Sequence, residues 1–530
     1  MERRDAQKLK LQRAALARRA GGHAGRKQRR SAAESSSAVH PGLLGGSYRP
    51  LRERDMQRIH QTALDVLENI GMASPIPILR EHALAKGCRI DARGRLCFPR
   101  ALVEDVLASA PRSYVNHARD PRYDIEMSGA RVHFDPGGES VLTLDFASGR
   151  YRPSTLIDLY DFARLVDRLD HVHMFSRVVS ATEIPDLFAN DINTAYASMA
   201  GTAKHIHLSF SDAKSIDAAI AMMDLILGGE GRHLERPFCT SGGCPVVSPL
   251  TYGEENSEVC IAATRMGGSV GVVIAPQAGA TAPAALAGTL VQTVAETLAA
   301  LLLVNLVVPG HPVGFGPWPF VSDLRTGAFS GGGGEAAVLN AAAAQIGRFY
   351  GLPTIVGAGM TDSKLPDNQA GYEKGVSVAL AALAGANIVS ETSGMLGSLM
   401  GCSFEAMVID NEMLGCIQRA LRGIEVTDET LSYEVIRDVA YGEGHFLGHP
   451  QTLQLMETEY LYPEIADRTS PSAWEEAGGH DLRERARQRA RQLLASHYPE
   501  YIDRATDEKI RARFPIALPR EAMRPGNRRW

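Results

Sequence analysis

The chain has 530 residues, 45% of them apolar, which is enough for one large core or for two domains. Its formal net charge is −5, yet residues 1–30 hold 11 Lys/Arg against 2 acids, so that segment is +9 and the rest about −14. No apolar run reaches the ~18 residues of a membrane span. Seven cysteines, odd in number and never spaced C-x-x-C, suggest a reducing compartment with no disulfide framework and no zinc knuckle.

In chain order, residues 1–47 read as a basic, then Ser/Ala/Gly-rich tail expected to be disordered. The tail has no aromatic side chain to stack on bases, so nucleic acid is not expected as a partner. Residues 48–129 read as a helical cap, with helices at 53–71, 76–86 and 99–109 and a small hairpin around Arg93-Gly94. From residue 130 a strand-then-helix rhythm begins and runs to 423. Strands are expected to start near 131, 174, 205, 238, 270, 311, 353 and 387. The second is read as Met174–Ser180 and the seventh as Pro353–Ala358. The helices between them include one with Ser154 as N-cap, one over Pro283–Leu306 and one over Ala370–Gly385. Eight βα units over roughly 290 residues predict a (β/α)8 TIM barrel with a parallel sheet inside and helices outside. Residues 424–515 read as a C-terminal helical extension and 516–530 as a tail.

In a barrel of this kind, chemistry gathers at the C-terminal ends of the strands. Those ends supply Asp135 with Gly137, Gly138 and Glu139; then Glu183; Ser209; Ser241 to Cys244; Phe315, Trp318 and Phe320; Asp362 and Lys364; and Glu391. Asp362 and Glu391 are the candidate catalytic carboxylates. Phe315-Gly-Pro-Trp318-Pro-Phe320 puts three aromatic rings in six residues, a pattern that suits a cage for a cationic ligand. Burial of the rings to anchor a loop is the competing reading. The stretch Ser330-Gly-Gly-Gly-Gly334 before a helix can bind an anion through backbone N–H groups, or can serve only as a flexible turn. His205 and His207 alternate on one strand and so share a face. No third ligand stands at diagnostic spacing, and no metal is assigned.

Several stretches carry a resemblance. Thr361-Asp-Ser-Lys-Leu-Pro-Asp-Asn-Gln-Ala-Gly-Tyr-Glu373, Ala384-Gly-Ala-Asn387, Glu391-x-x-Gly-Met-Leu, Asp410-Asn-Glu-Met and Gly444-His-Phe-Leu-Gly-His-Pro-Gln-Thr452 resemble the trimethylamine methyltransferase family. The match covers roughly residues 48–515. The resemblance implies a barrel that moves a methyl group from a methylated amine to the cobalt of a separate corrinoid protein. No cofactor is then bound directly, and the corrinoid comes with the partner. Archaeal trimethylamine enzymes of that family carry pyrrolysine, placed here around Val356–Met360, where this chain has only standard residues. The resemblance therefore points to quaternary amines such as glycine betaine. Trp318, Phe315 and Phe320 would hold the cation, with Asp135, Asp362 or Glu391 nearby. Lys364, Gln369 or His445 would meet a substrate carboxylate. A tetrahydrofolate-binding barrel methyltransferase and a non-catalytic betaine- or corrinoid-protein-binding module are the alternatives. The protein is expected to be cytoplasmic, without a membrane partner. Ala-rich helices at 284–306 and 336–346 permit a homo-oligomer.

Overall fold

The computed structural model describes residues 37–526 and 529–530, so most of the expected basic tail lies outside the described residues. Contacts divide these residues into two units: 37–40 with 424–462, and 41–423 with 463–530. The smaller unit holds two short helices, Tyr433–Ala440 and Pro450–Leu455. His449 caps the second by accepting from Gln451 N, and the Gln451 amide donates to Ser432 Oγ at 2.9 Å.

The larger unit repeats strand-then-helix eight times. The pairs are β1 Arg131–Phe134 and α1 Leu156–Val166, β2 Met174–Ser176 and α2 Leu187–Gly201, and β3 His205–Ser209 and α3 Ala213–Leu227. Next come β4 Cys239–Gly243 and α4 Glu254–Ala263, β5 Val270–Ile274 and α5 Leu286–Val307, and β6 Val313–Pro317 and α6 Gly334–Tyr350. The last two are β7 Ile355–Gly357 with α7 Asn368–Ala384, and β8 Ile388–Ser390 with α8 Phe404–Arg422. Strands β2 to β6 form one five-stranded parallel arc in sequence order. Strands β7, β8 and β1 form a second parallel arc. Phe315 N donates to Pro353 O at 2.9 Å where β6 meets the start of β7, and His173 N donates to Phe134 O at 2.9 Å where β2 meets β1.

Parallel strands covered on both faces read as continuous runs of apolar and β-branched residues. Val270-Gly-Val-Val-Ile274 is of this kind, and four of its five residues are buried. Glycine lets neighbouring strands lie close. A Cβ on Gly242 would stand 1.8 Å from the Gly271 carbonyl oxygen of β5.

Several expectations change in detail. α1 is capped by Thr155, which with Asp158 forms a reciprocal capping box, while Ser154 Oγ instead bonds Thr143 Oγ1 at 2.8 Å. Leu43–Leu44, inside the stretch read as tail, pairs antiparallel with β1. Gly45 packs there against α7, where a Cβ would meet Ala382 O at 2.1 Å. α5 is long and apolar enough to cross a membrane by length and composition, a longer such run than the sequence reading found. Yet 83% of its most apolar window is buried. It packs against helices 53–65 and 77–85 on one side and β5 and β6 on the other, so it is apolar all round. The alanines of α6 are buried, and that helix packs on α7. The alanine face within 336–346 is therefore covered by the chain itself, while Ala284, Ala285 and Ala287 at the start of the other stretch are exposed.

Candidate functional site

Side chains alternate across a strand, so every second residue faces the concave side of the arcs. Those positions build the cavity. Met174 and Ser176 on β2, His207 and Ser209 on β3, Gly271 and Val273 on β5, Ile355 on β7, and Ile388 and Ser390 on β8 all line a space of about 440 Å³. Asp135, Glu139, Arg177, Cys244, Trp318, Phe320 and Glu391 follow the strand ends and complete it. The volume suits a small ligand.

Asp135 stands just past β1. Ser176 Oγ donates to one of its oxygens at 2.7 Å and Ser390 Oγ to the other at 2.6 Å. Burial pushes its carboxyl up, against these hydrogen bonds and one from Gly137. Glu391 stands just past β8 with φ +66°, a strained value for a side-chain-bearing residue. It accepts only Gly138 N–H, at 3.3 Å, and its Oε2 is buried with no hydrogen-bond partner among the described residues. Burial, then the charge of Asp135, raises its pKa well above the ordinary value. Of the two carboxyls, Glu391 is the one driven further toward its protonated form. Gly137, at φ +80°, fits between them, since a Cβ there would lie 2.3 Å from Glu391 Oε2.

Trp318 follows β6. Its indole N–H donates to Ile355 O at 3.2 Å, and its ring lies on Gly357, where a Cβ would be 2.7 Å from Cε3. Phe320 lies beside it with ring centroids 6.2 Å apart, and Phe329 packs behind Phe320 at 4.8 Å. At the other edge of the five-stranded arc, Arg177 follows β2. Its guanidinium pairs with Glu139 and lies 4.0 Å from Asp191, while its Nε is buried without a hydrogen-bond partner among the described residues. The cavity thus gathers an aromatic face, two carboxyls and a guanidinium.

Of the residues singled out from sequence, Asp135, Glu391, Trp318 and Phe320 meet in this cavity. Five do not. Phe315 lies three residues before Trp318, so on a period of two it faces the helices. It is fully buried edge-on against Tyr350 of α6, at 5.8 Å. Asp362 accepts from Ser330 Oγ, Gly331 N and Ser398 Oγ. The anion that the Gly-rich turn binds is therefore this chain's own carboxylate. Burial raises its pKa, but the hydrogen bonds outweigh that and hold it low. Lys364 is exposed and donates to the Asp362 carbonyl at 2.5 Å. Gln369 donates to Glu373 at 3.0 Å. His445 belongs to the smaller unit, where it is exposed near Glu443. Among the described residues no group of three or more His, Cys, Asp or Glu is gathered as a metal shell.

Arg177 escaped the sequence reading because β2 was drawn to Ser180, which put Glu183 at its end. The strand stops at Ser176, and Glu183 instead accepts from Leu156 N at 2.8 Å at the start of α1. The signal that could have found Arg177 was its place directly after the apolar run.

The model of the family described as Trimethylamine methyltransferase (MTTB) matches residues 18–516. The chain is 33% identical over 472 residues to a trimethylamine methyltransferase MttB of Desulfitobacterium hafniense (strain DSM 10664 / DCB-2), covering 89% of this chain and 92% of that protein. It is 31% identical to a glycine betaine methyltransferase of Desulfitobacterium hafniense (strain Y51), covering 89% and 97%. A monomethylamine methyltransferase structure from Methanosarcina barkeri aligns at TM-score 0.44 and 13% identity, over 87% of this chain and 98% of that one.

Proposed function

The chain belongs to the trimethylamine methyltransferase family, and on that premise we propose that it moves a methyl group from a betaine-like quaternary amine to the Co(I) of a corrinoid protein. The observation that carries the betaine reading is the placement, around one cavity, of Trp318 and Phe320 with the Arg177 guanidinium. A trimethylammonium group has no N–H to donate, so an aromatic face and a nearby anion suit it. A carboxylate at the far end of the same molecule finds the guanidinium. In Val356–Met360, where the resemblance puts pyrrolysine, the room beside Gly357 is taken by the Trp318 indole. We also read the two parallel arcs as one closed (β/α)8 barrel, on the strength of the two hydrogen bonds across their edges. A cytoplasmic site of action goes with this reading.

The chemistry asks little covalent work of the chain. Co(I), when brought by the partner, is the nucleophile. Glu139 is exposed at the cavity wall, and the methyl acceptor approaches from that side. Trp318, Phe320 and Asp135 hold the cation, while Arg177 fixes the other end and so aims one N–CH₃ bond. The leaving group departs as a neutral tertiary amine. A full second carboxylate beside it would favour the charged ground state, and Glu391 avoids that by being neutral. Its proton stands ready for the departing amine, a far stronger base than the cation it came from.

The test is incubation with the reduced corrinoid partner and a panel of quaternary amines, followed by methyl-Co(III) absorbance. Methylation with betaines is expected. Arg177→Met raises KM for carboxylated amines by about 10-fold or more, the cost of one charge-assisted hydrogen bond, and leaves amines without a carboxylate unchanged. Silence across the panel with a competent corrinoid overturns the proposal.

A further inference from the structure

Between β3 and β4 the cavity wall contains a hydrogen-bond relay that the proposed reaction does not use. His205 Nδ1 lies 2.6 Å from the His117 carbonyl oxygen, and His205 Nε2 lies 2.9 Å from Thr240 Oγ1. His207 Nδ1 lies 3.2 Å from the same Thr240 oxygen. Each proton in this relay follows from the one before it. A carbonyl can only accept, so His205 Nδ1 carries hydrogen and donates. Desolvation holds the pKa of His205 down at about 4, so the ring is neutral and its Nε2 is a lone pair. Thr240 must donate its single hydroxyl hydrogen to that lone pair. The Thr240 oxygen can then only accept from His207, so His207 Nδ1 carries hydrogen. Desolvation holds the pKa of His207 at about 4 as well, against the opposing field of Glu139. Its Nε2 is left as a lone pair.

The His207 ring borders the cavity, and Nε2 has no hydrogen-bond partner among the described residues. The ring lies over Gly271, where a Cβ would come 2.8 Å from its Cε1 and 3.2 Å from Nε2. Glycine at that inward position of β5 lets the imidazole lie flat along the wall. Such an acceptor costs free energy when a bound ligand covers it with methyl groups alone, and returns it when the ligand brings a donor.

We propose that His207 is a specificity-determining residue: the relay from the His117 carbonyl through His205 and Thr240 fixes its Nε2 as an acceptor, which reads a hydroxyl group on the bound quaternary amine. This rests on the amine-binding reading above and narrows it to hydroxyl-bearing members of that class. An acceptor nitrogen on this wall is otherwise without a role in the proposed reaction.

The experiment uses the full chain and matched pairs of amines that differ by one hydroxyl. Choline is paired with propyltrimethylammonium, and 3-hydroxy-4-trimethylammoniobutanoate with 4-trimethylammoniobutanoate. Calorimetric Kd values are expected to favour the hydroxylated member of each pair by roughly 3- to 10-fold, the worth of one neutral hydrogen bond. His207→Phe erases that preference, so that the two members of each pair bind alike. Thr240→Val also erases it, and Thr240→Ser restores it. In ¹⁵N-histidine spectra His207 shows a protonated Nδ1 and an unprotonated Nε2 in the parent and in Thr240→Ser, but not as a single fixed tautomer in Thr240→Val. Equal Kd values within both pairs, or an Nε2–H signal for His207, overturn this inference while leaving amine binding intact. Absence of cobalt methylation by every amine overturns the proposed function instead, so the two failures are distinguishable.

Discussion

Glu391 concentrates the residue-scale argument. A carboxyl that is neutral in the folded protein and free in the unfolded chain links stability to pH. Its folded pKa is raised above the ordinary 4.5 by burial and by Asp135. The stability tied to the bound proton is therefore fully present below pH 4.5 and is lost as pH rises through the folded value. Glu391→Gln copies the neutral form and removes the titration. The variant should match or exceed the parent in thermal stability at pH 7, and its melting temperature should fall less between pH 4.5 and 8. Thermal unfolding across that range checks it, and parallel curves for the two proteins would mean that Glu391 is ionised. The same substitution should lower turnover while amine binding is kept, because the amide cannot hand a proton to the departing amine. Neither expectation was visible from sequence. Glu391 could be placed at a strand end by pattern, but its protonation depends on Gly138, Asp135 and burial, which are long-range facts.

At the scale of elements, the strand-then-helix alternation was legible because βα units write a strong pattern: short apolar runs, polar turns, then periodic helices. Strand ends were less legible, and the site depends on them. A boundary drawn four residues late on β2 hid Arg177, and a three-residue spacing on β6 put Phe315 on the wrong face beside Trp318. Glycine positions test the element-level account directly. Gly357 ends β7 under the Trp318 indole, where a Cβ would stand 2.7 Å from the ring. Gly357→Ala should displace the indole, cost about 1–3 kcal/mol by overpacking, and weaken amine binding. Gly375, inside α7, has open space within 4 Å of where a Cβ would stand, and no positive φ. Gly375→Ala should therefore stabilise the protein by about 0.5–1 kcal/mol without touching binding. Denaturant unfolding and calorimetry on the pair check this. A Gly357→Ala protein that binds amines normally would show that the cage does not depend on this contact.

At the scale of the whole larger unit, the two ends of its chain segments are tied into the βα array. Leu43–Leu44 pairs with β1, and the last two residues reach α1. Arg529 donates to both oxygens of Asp161, at 2.7 and 3.0 Å, and the Trp530 indole donates to the same carboxylate at 2.9 Å. Arg164, fully buried, completes the cluster at 2.7 Å from Asp161. The Trp530 ring packs edge-on against Phe146 and Phe404, with centroids 5.2 and 5.0 Å away. The sequence offered no hint of this, because a short tail rich in Arg, Pro and Gly has no periodicity to read. A buried carboxylate that loses one of two cations is left undercompensated. Deleting Arg529 and Trp530 should therefore cost about 2–4 kcal/mol. Burial already pushes the Asp161 carboxyl up, and Arg529 is one of the cations opposing that push. Its removal raises the folded pKa further, so more stability is lost as pH climbs, and the deficit should be larger at pH 8 than at pH 5. Denaturant unfolding of the parent and the truncated protein at those two pH values decides it: an equal deficit at both would assign the anchor to the Trp530 ring contacts alone, with no part for the charge cluster.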